Sequence, residues 1–98
     1  MNQSKSQIRH VNISVCGMVH GVCFRASARD MAEELGIGGF VKNSPDGSVY
    51  IEAEATETPL QEFIAWCRQG PPSAIVREVK VEDGQVKRFM SFDIAFGR

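Results

Sequence analysis

Polar and apolar residues alternate over residues 8–15, with Val11, Ile13 and Val15 on one side and His10, Asn12 and Ser14 on the other. A period of two marks a strand with one buried face, because successive strand side chains point to opposite faces. The pattern breaks over residues 17–23, with glycine at 17 and 21, and a new period begins at Phe24. Phe24, Ala28, Met31, Ala32 and Leu35 recur at helical spacing, while Arg25, Arg29, Asp30, Glu33 and Glu34 fall mainly on the other side. Gly36 is the expected stop, since glycine readily takes the left-handed conformation that ends many helices. Residues 38–42 read as a second strand. Residues 48–55 read as a third, with Val49, Ile51, Ala53 and Ala55 alternating against Ser48, Tyr50, Glu52 and Glu54. Ser44-Pro45-Asp46-Gly47 lies between them; proline presets φ and glycine accepts positive φ, so the two strands form a hairpin.

A second helix is expected to start at Thr58 as N-cap, with Pro59 in the first helical position and Gln61 completing a T-x-x-Q capping box. Leu60, Phe63, Ile64 and Cys67 form its buried stripe, and Gly70-Pro71-Pro72 ends it. Alternation returns over 74–81 and 89–96, around a polar turn at Asp83-Gly84. The order is β-α-β-β-α-β with one additional short strand. It predicts an α+β, ferredoxin-like two-layer sandwich, with two helices on one face of a mostly antiparallel sheet and solvent on the other. That fold hosts many functions, so chemistry must be read from the site.

Length and charge narrow the field. The 98 residues suit one domain, read as a lead-in over 1–7 and a folded unit over 8–98. The lead-in is polar and lacks the apolar stretch of a secretion signal. A net charge of −1 offers no field for general binding of nucleic acid or membrane, and no apolar run nears the roughly 20 residues of a membrane helix. An anion must therefore be held by a built site. Cys16, Cys23 and Cys67 are odd in number and form no C-x-x-C pair, which argues against disulfides or structural zinc. Reduced thiols and a cytoplasmic location are expected. No metal or cofactor is expected, and the size predicts a monomer.

Candidate chemistry concentrates in Gly17-Met18-Val19-His20-Gly21-Val22-Cys23-Phe24-Arg25, between a strand and a helix start. The first amides of a helix have no internal partners, and the helix dipole adds positive potential there. A glycine-containing loop can curl so that its amides converge on an anion. Arg25, in the first turn, opposes the dipole; its guanidinium fork matches phosphate oxygens, so a bound anion would resolve that conflict. A tight turn with a solvated arginine fits the same residues equally well.

This stretch resembles the acylphosphatase signature G-x-V-Q-G-V-x-(F/Y)-R. Gly39-Phe40-Val41-Lys42-Asn43-Ser44-Pro45-Asp46-Gly47-Ser48-Val49 resembles that family's second motif, G-(W/F/Y)-V-x-N-x-x-(D/K)-G-x-V. Two motifs in register over nearly the whole chain make the match specific. The resemblance implies hydrolysis of the carboxyl–phosphate anhydride of a small acyl phosphate, releasing inorganic phosphate. It implies that Arg25 and the loop Val19, His20, Gly21, Val22, Cys23 and Phe24 bind the phosphoryl group, and that Asn43 positions the attacking water, without metal. His20 stands where glutamine is usual, and the ending Phe96-Gly97-Arg98 departs from the family's Ile-Arg-Tyr-like terminus.

Other polar residues take plainer roles. Asp46 is expected to shape the hairpin turn, His20 to shape the loop, and His10 to be solvated. Glu52 and Glu54 share a strand face and are likewise expected in solvent. Cys23, near a helix N-terminus, reads as an oxidisable thiol; Cys16 and Cys67 read as packing residues. An RNA-reading sheet would expose aromatics on its central strands, yet the first strand has none and the third only Tyr50. The alternative function is a phosphate-sensing or regulatory domain that uses the same loop without turnover.

Overall fold

The computed structural model describes residues 7–96, so the expected lead-in lies, except for Gln7, outside the described residues. The elements are β1 (Arg9–Met18), α1 (Phe24–Leu35), β2 (Gly38–Asn43), β3 (Val49–Ala55), α2 (Glu57–Gln69), β4 (Ile75–Gly84) and β5 (Phe92–Ile94). One five-stranded sheet runs in the order β4-β1-β3-β2-β5. Its first four strands are antiparallel, and β5 lies parallel to β2. α1 packs over β2 and β5, and α2 over β4 and β3. This is the expected ferredoxin-like α+β sandwich. No described helix is long and apolar enough to cross a membrane.

The predicted stripes meet in one core. Val11, Ile13 and Val15 of β1, Val41 of β2 and Val49, Ile51 and Ala53 of β3 are all inaccessible. Phe24, Ala28 and Ala32 of α1 cover them together with Leu60, Phe63 and Cys67 of α2. Trp66 bridges the helices, its ring centroid 5.2 Å from Phe24 and 6.2 Å from Phe63. Burial of such side chains at about 1.5–3 kcal/mol each is the main term opposing chain entropy.

Several boundaries differ from the sequence reading. α2 begins two residues earlier, with Thr56 as N-cap and no side-chain cap, and its first helical bond runs from the Leu60 amide to the Thr56 carbonyl at 3.2 Å. Pro59 sits third in the helix, where a missing N–H costs nothing because first-turn amides have no helical partner. No capping box forms; Gln61 donates instead to Glu57 Oε2, one turn back, at 2.7 Å. β1 runs on to Met18 through a bulge between Cys16 and Gly17. Gly17, at φ 136°, lets the β4 backbone approach so closely that any Cβ would strike the Ile75 carbonyl. β4 continues through the expected turn to Gly84, whereas β5 keeps only three residues of the expected 89–96 strand.

Residues 85–91 account for that shortening and overturn the expectation of a fully wet second face. They cross one end of it and bury His10, Glu52 and Glu54, at 2%, 7% and 5% exposure. Register sets His10 opposite Glu54 and Asn12 opposite Glu52, so the charges were already neighbours. Glu54 accepts the backbone amides of Lys87 and of Phe89, the latter at 3.1 Å, while His10 Nδ1 donates to it at 2.7 Å. Glu52 accepts from Lys87 Nζ at 2.9 Å and from Tyr50 at 2.7 Å. The Phe89 ring stacks on His10 at 5.9 Å and meets Phe40 edge-on at 5.9 Å. Alternation could place these residues on the polar face; it could not show that another segment would cover that face.

Burial alone would raise the Glu52 and Glu54 carboxyls, but the donors outweigh it and hold both below the ordinary value. Their stabilisation is therefore present above the unfolded carboxyl value of about 4.3 and is lost as pH falls through the lower folded values. Urea unfolding followed from pH 7 to pH 3 should show the midpoint dropping below about pH 4.5. E54Q should be about 1–3 kcal/mol less stable at pH 7 and lose less across the acid range. An acid limb as steep as wild type would mean the Glu54 contacts are not the source.

Candidate active site

β1 pairs with β3 only as far as Val15 opposite Val49 but stays on β4 until Met18 opposite Ile75. Past the bulge the chain therefore swings away from the β2–β3 hairpin, and the loop 19–23 borders a gap. Val19 and Phe24, at 2% and 1% exposure, pin the loop's two ends in the core. Between them Gly21 and Cys23 both take left-handed backbone, at φ 71° and 65°. Glycine adopts this freely, whereas a non-glycine residue held there is strained by about 1 kcal/mol or more. A backbone that alternates left- and right-handed residues can curl so that its amides converge on an anion.

Cys23 is also the N-cap of α1, makes no side-chain cap, and is followed by no acidic residue in the first turn. Ser27 donates to the Cys23 carbonyl at 3.0 Å, while no hydrogen bond from the earlier first-turn amides is found among the described residues. The helix thus opens with unpaired amides and a cation, Arg25, at its positive end.

A pocket of about 180 Å³ is lined by Val19, Gly21, Cys23, Phe24, Arg25, Ala26, Asn43, Ile94 and Phe96. Six of the eight residues singled out in the sequence meet there. Val22 and His20 do not line it: Val22 packs against the core, and the His20 ring turns to the hairpin, where Nε2 donates to the Ser48 carbonyl at 2.8 Å. Arg25 has no carboxylate within ion-pair distance among the described residues. Its Cζ lies 5.3 Å from the centroid of the Phe96 ring, over the ring face. A ring against the flat of a guanidinium holds it while leaving its N–H edge free.

Asn43 closes β2 opposite Val49. Its Oδ1 is buried and accepts no hydrogen bond among the described residues, an arrangement that costs about 1–3 kcal/mol. Asp46 serves the turn as expected: Oδ1 accepts from the Ser48 amide at 2.9 Å and hydroxyl at 2.6 Å, and these bonds hold its carboxyl below the ordinary value. Among the described residues no group of three or more His, Cys, Asp or Glu side chains is arranged to hold a metal ion.

Ile94 and Phe96 were missed as pocket residues. The shared parity of Phe92, Ile94 and Phe96 marked their face. Nothing local showed that β5 runs parallel beside β2, Ile94 opposite Val41, two residues from Asn43.

Fold and pocket together define a ferredoxin-like protein that brings Arg25, Asn43 and a loop leading into a helix start to one small concavity. Comparison with known proteins gives the family. The acylphosphatase family model matches residues 11–94. Over 86 residues the chain is 45% identical to an acylphosphatase of Archaeoglobus fulgidus, covering 88% of this chain and 97% of that one. It superposes on an acylphosphatase from Coxiella burnetii with a TM-score of 0.88 at 34% identity, covering 97% of this chain and 100% of that one. It also matches full-length HypF in a phosphate- and nucleotide-bound form, TM-score 0.81 and 32% identity, over 91% of this chain but 12% of that one. The chain belongs to the acylphosphatase family. It is accordingly an enzyme that hydrolyses small acyl phosphates, as the two motifs implied.

The three thiols provide a test of the pocket geometry. Cys23 is exposed and lines the pocket, Cys16 is half-buried, and Cys67 is buried, which pushes its thiol pKa up. Alkylation followed by mass spectrometry should modify Cys23 first and leave Cys67 untouched until unfolding. Inorganic phosphate should slow modification of Cys23 alone; equal rates with and without phosphate would place the anion elsewhere.

Proposed function

We propose that the phosphoryl group of an acyl phosphate sits in the curl of amides over residues 19–24, gripped by the N–H edge of Arg25, and that Asn43 positions the water that attacks it in line. The observation that carries this reading is that Asn43, whose buried Oδ1 has no hydrogen-bond partner among the described residues, lines the same pocket as Arg25. A carboxamide oxygen accepts a hydrogen bond from water and so aims its lone pair. It is too weak a base to take the proton, which passes to a phosphoryl oxygen as the new P–O bond forms. The P–O bond to the acyl group breaks, and the carboxylate leaves with the electron pair.

A carboxylate whose acid has a pKa of about 4.3 leaves without protonation, so no general acid is needed. Phosphoryl transfer then calls for alignment and for donors on the equatorial oxygens, which one guanidinium and several amides supply. Such donors act without a metal ion. The strained φ of Cys23 supports this role, since backbone strain of this kind gathers at ligand-binding loops.

Hydrolysis of benzoyl or acetyl phosphate with a chelator present tests the proposal. Turnover should be unaffected by chelation and competitively inhibited by inorganic phosphate. Arg25→Gln should lose phosphate affinity and at least about 10²-fold in kcat/KM. Arg25→Lys should be severely impaired, because a point charge cannot replace a fork. Asn43→Ala should lose about 10²-fold in kcat while keeping its phosphate inhibition constant within about threefold. Unchanged turnover in Asn43→Ala would overturn the water-positioning role, and phosphate binding without turnover in wild type would favour the sensing alternative.

A further inference from the structure

Because β1 leaves β3 after Val15, the loop that carries the amides and the hairpin that carries Asn43 belong to backbones that diverge at the pocket. The His20 side chain reaches back across that divergence. Its Nε2 donates to the Ser48 carbonyl at 2.8 Å, and that oxygen also accepts the Ser44 amide at 2.9 Å, so both of its lone pairs are used. Ser48 is itself immobilised. It is 9% exposed, and its amide and hydroxyl both donate to Asp46 Oδ1. The two ends of this bridge adjoin the pocket: His20 lies next to Val19 and Gly21, which line it, and Ser44 follows Asn43 directly.

We propose that His20 is a positioning residue whose imidazole N–H struts the phosphate loop against the hairpin and sets the separation between the bound phosphoryl group and the water on Asn43. The inference rests on the reaction proposed above and adds to it a side chain that touches neither substrate nor water. Proximity terms make such a strut matter, because rate falls steeply when attacking and attacked atoms drift apart. Phosphate affinity depends on the loop and Arg25 alone, and the strut contributes nothing to it. The ring itself is not required; any side chain that delivers an N–H to the same carbonyl suffices, and glutamine carries one.

The test compares wild type, His20→Ala, His20→Gln and Asn43→Ala, measuring kcat on benzoyl phosphate and the competitive inhibition constant of inorganic phosphate. His20→Ala should lower kcat about tenfold, the scale of one hydrogen bond, with the phosphate constant within about twofold of wild type. His20→Gln should recover kcat to within about threefold. The His20 side chain lies outside the core, so both variants should fold, with the urea midpoint of His20→Ala lowered only by the loss of one hydrogen bond and that of His20→Gln close to wild type.

Three results would each overturn the strut. One is an unchanged kcat in His20→Ala. Another is a loss of phosphate affinity as large as the loss of kcat, which would make the ring an anion ligand. The last is His20→Gln as slow as His20→Ala, which would make the imidazole itself the active group. Failure of wild type to turn over, or full activity in Asn43→Ala, would instead sink the proposed reaction, so the two failures are distinguishable.

Discussion

The pocket exists because one strand follows two neighbours unequally. β1 is bonded to both β3 and β4 up to Val15, and beyond the bulge at Cys16 and Gly17 it is bonded to β4 alone. A sheet with every strand equally long would close that space with ladder bonds. Here the backbone is free to turn, and Gly17 permits it by letting β4 come closer than any side chain would allow. The loop then curls through left-handed residues at 21 and 23 and delivers a helix start to the edge of the gap. Arg25, Asn43, Ile94 and Phe96 come from three separate places in the chain, and this divergence is what they converge on.

Local stability is given up at that point. α1 begins without a side-chain cap and without an acidic residue, and it carries a cation where its dipole is already positive. Cys23 holds a strained backbone, and Asn43 keeps a buried acceptor unsatisfied. Each arrangement is locally unfavourable; on the reading proposed above, an oxyanion beside Arg25 and a hydrogen-bond donor to Asn43 Oδ1 would offset two of them. The core pays for it elsewhere: Phe24 begins α1 from a fully buried position against Trp66, so the helix start cannot shift to relieve the strain.

The other face of the sheet reaches the pocket by a different route. Glu54 fastens residues 87 and 89 across the strands, and the chain then runs directly into β5. Three residues of β5 pair with β2, the Ala95 amide continues that pairing to the Val41 carbonyl at 2.8 Å, and Ile94 and Phe96 arrive beside Asn43 and Arg25. A short edge strand has little pairing of its own, so its placement depends on what anchors the segment before it. The buried His10–Glu54 pair is such an anchor.

Much of this was legible along the chain. Period-two and period-3.6 patterning located every element and both buried faces, because side-chain direction is a local consequence of backbone geometry. The resemblance to two family motifs singled out Arg25 and Asn43, since each motif is written in consecutive positions; the local chemistry alone pointed to Arg25 at a helix start and would have left Asn43 a turn-entry residue. Asp46 read correctly as a turn residue for the same reason. The errors came where the deciding contact was distant in sequence. His10, Glu52 and Glu54 read as solvated because the residues that cover them lie at 85–91. Phe96 escaped notice because its partner, Arg25, belongs to another element. The start of α2 was misplaced because the capping pattern at Thr58 competes with the β3–α2 junction, which tertiary packing decides. Sequence alone determined which residues turn inward and which chemistry stands at the helix start; only the folded chain decided what covers the polar face and how far apart the site's members stand, because those depend on strand register and on where neighbouring strands part.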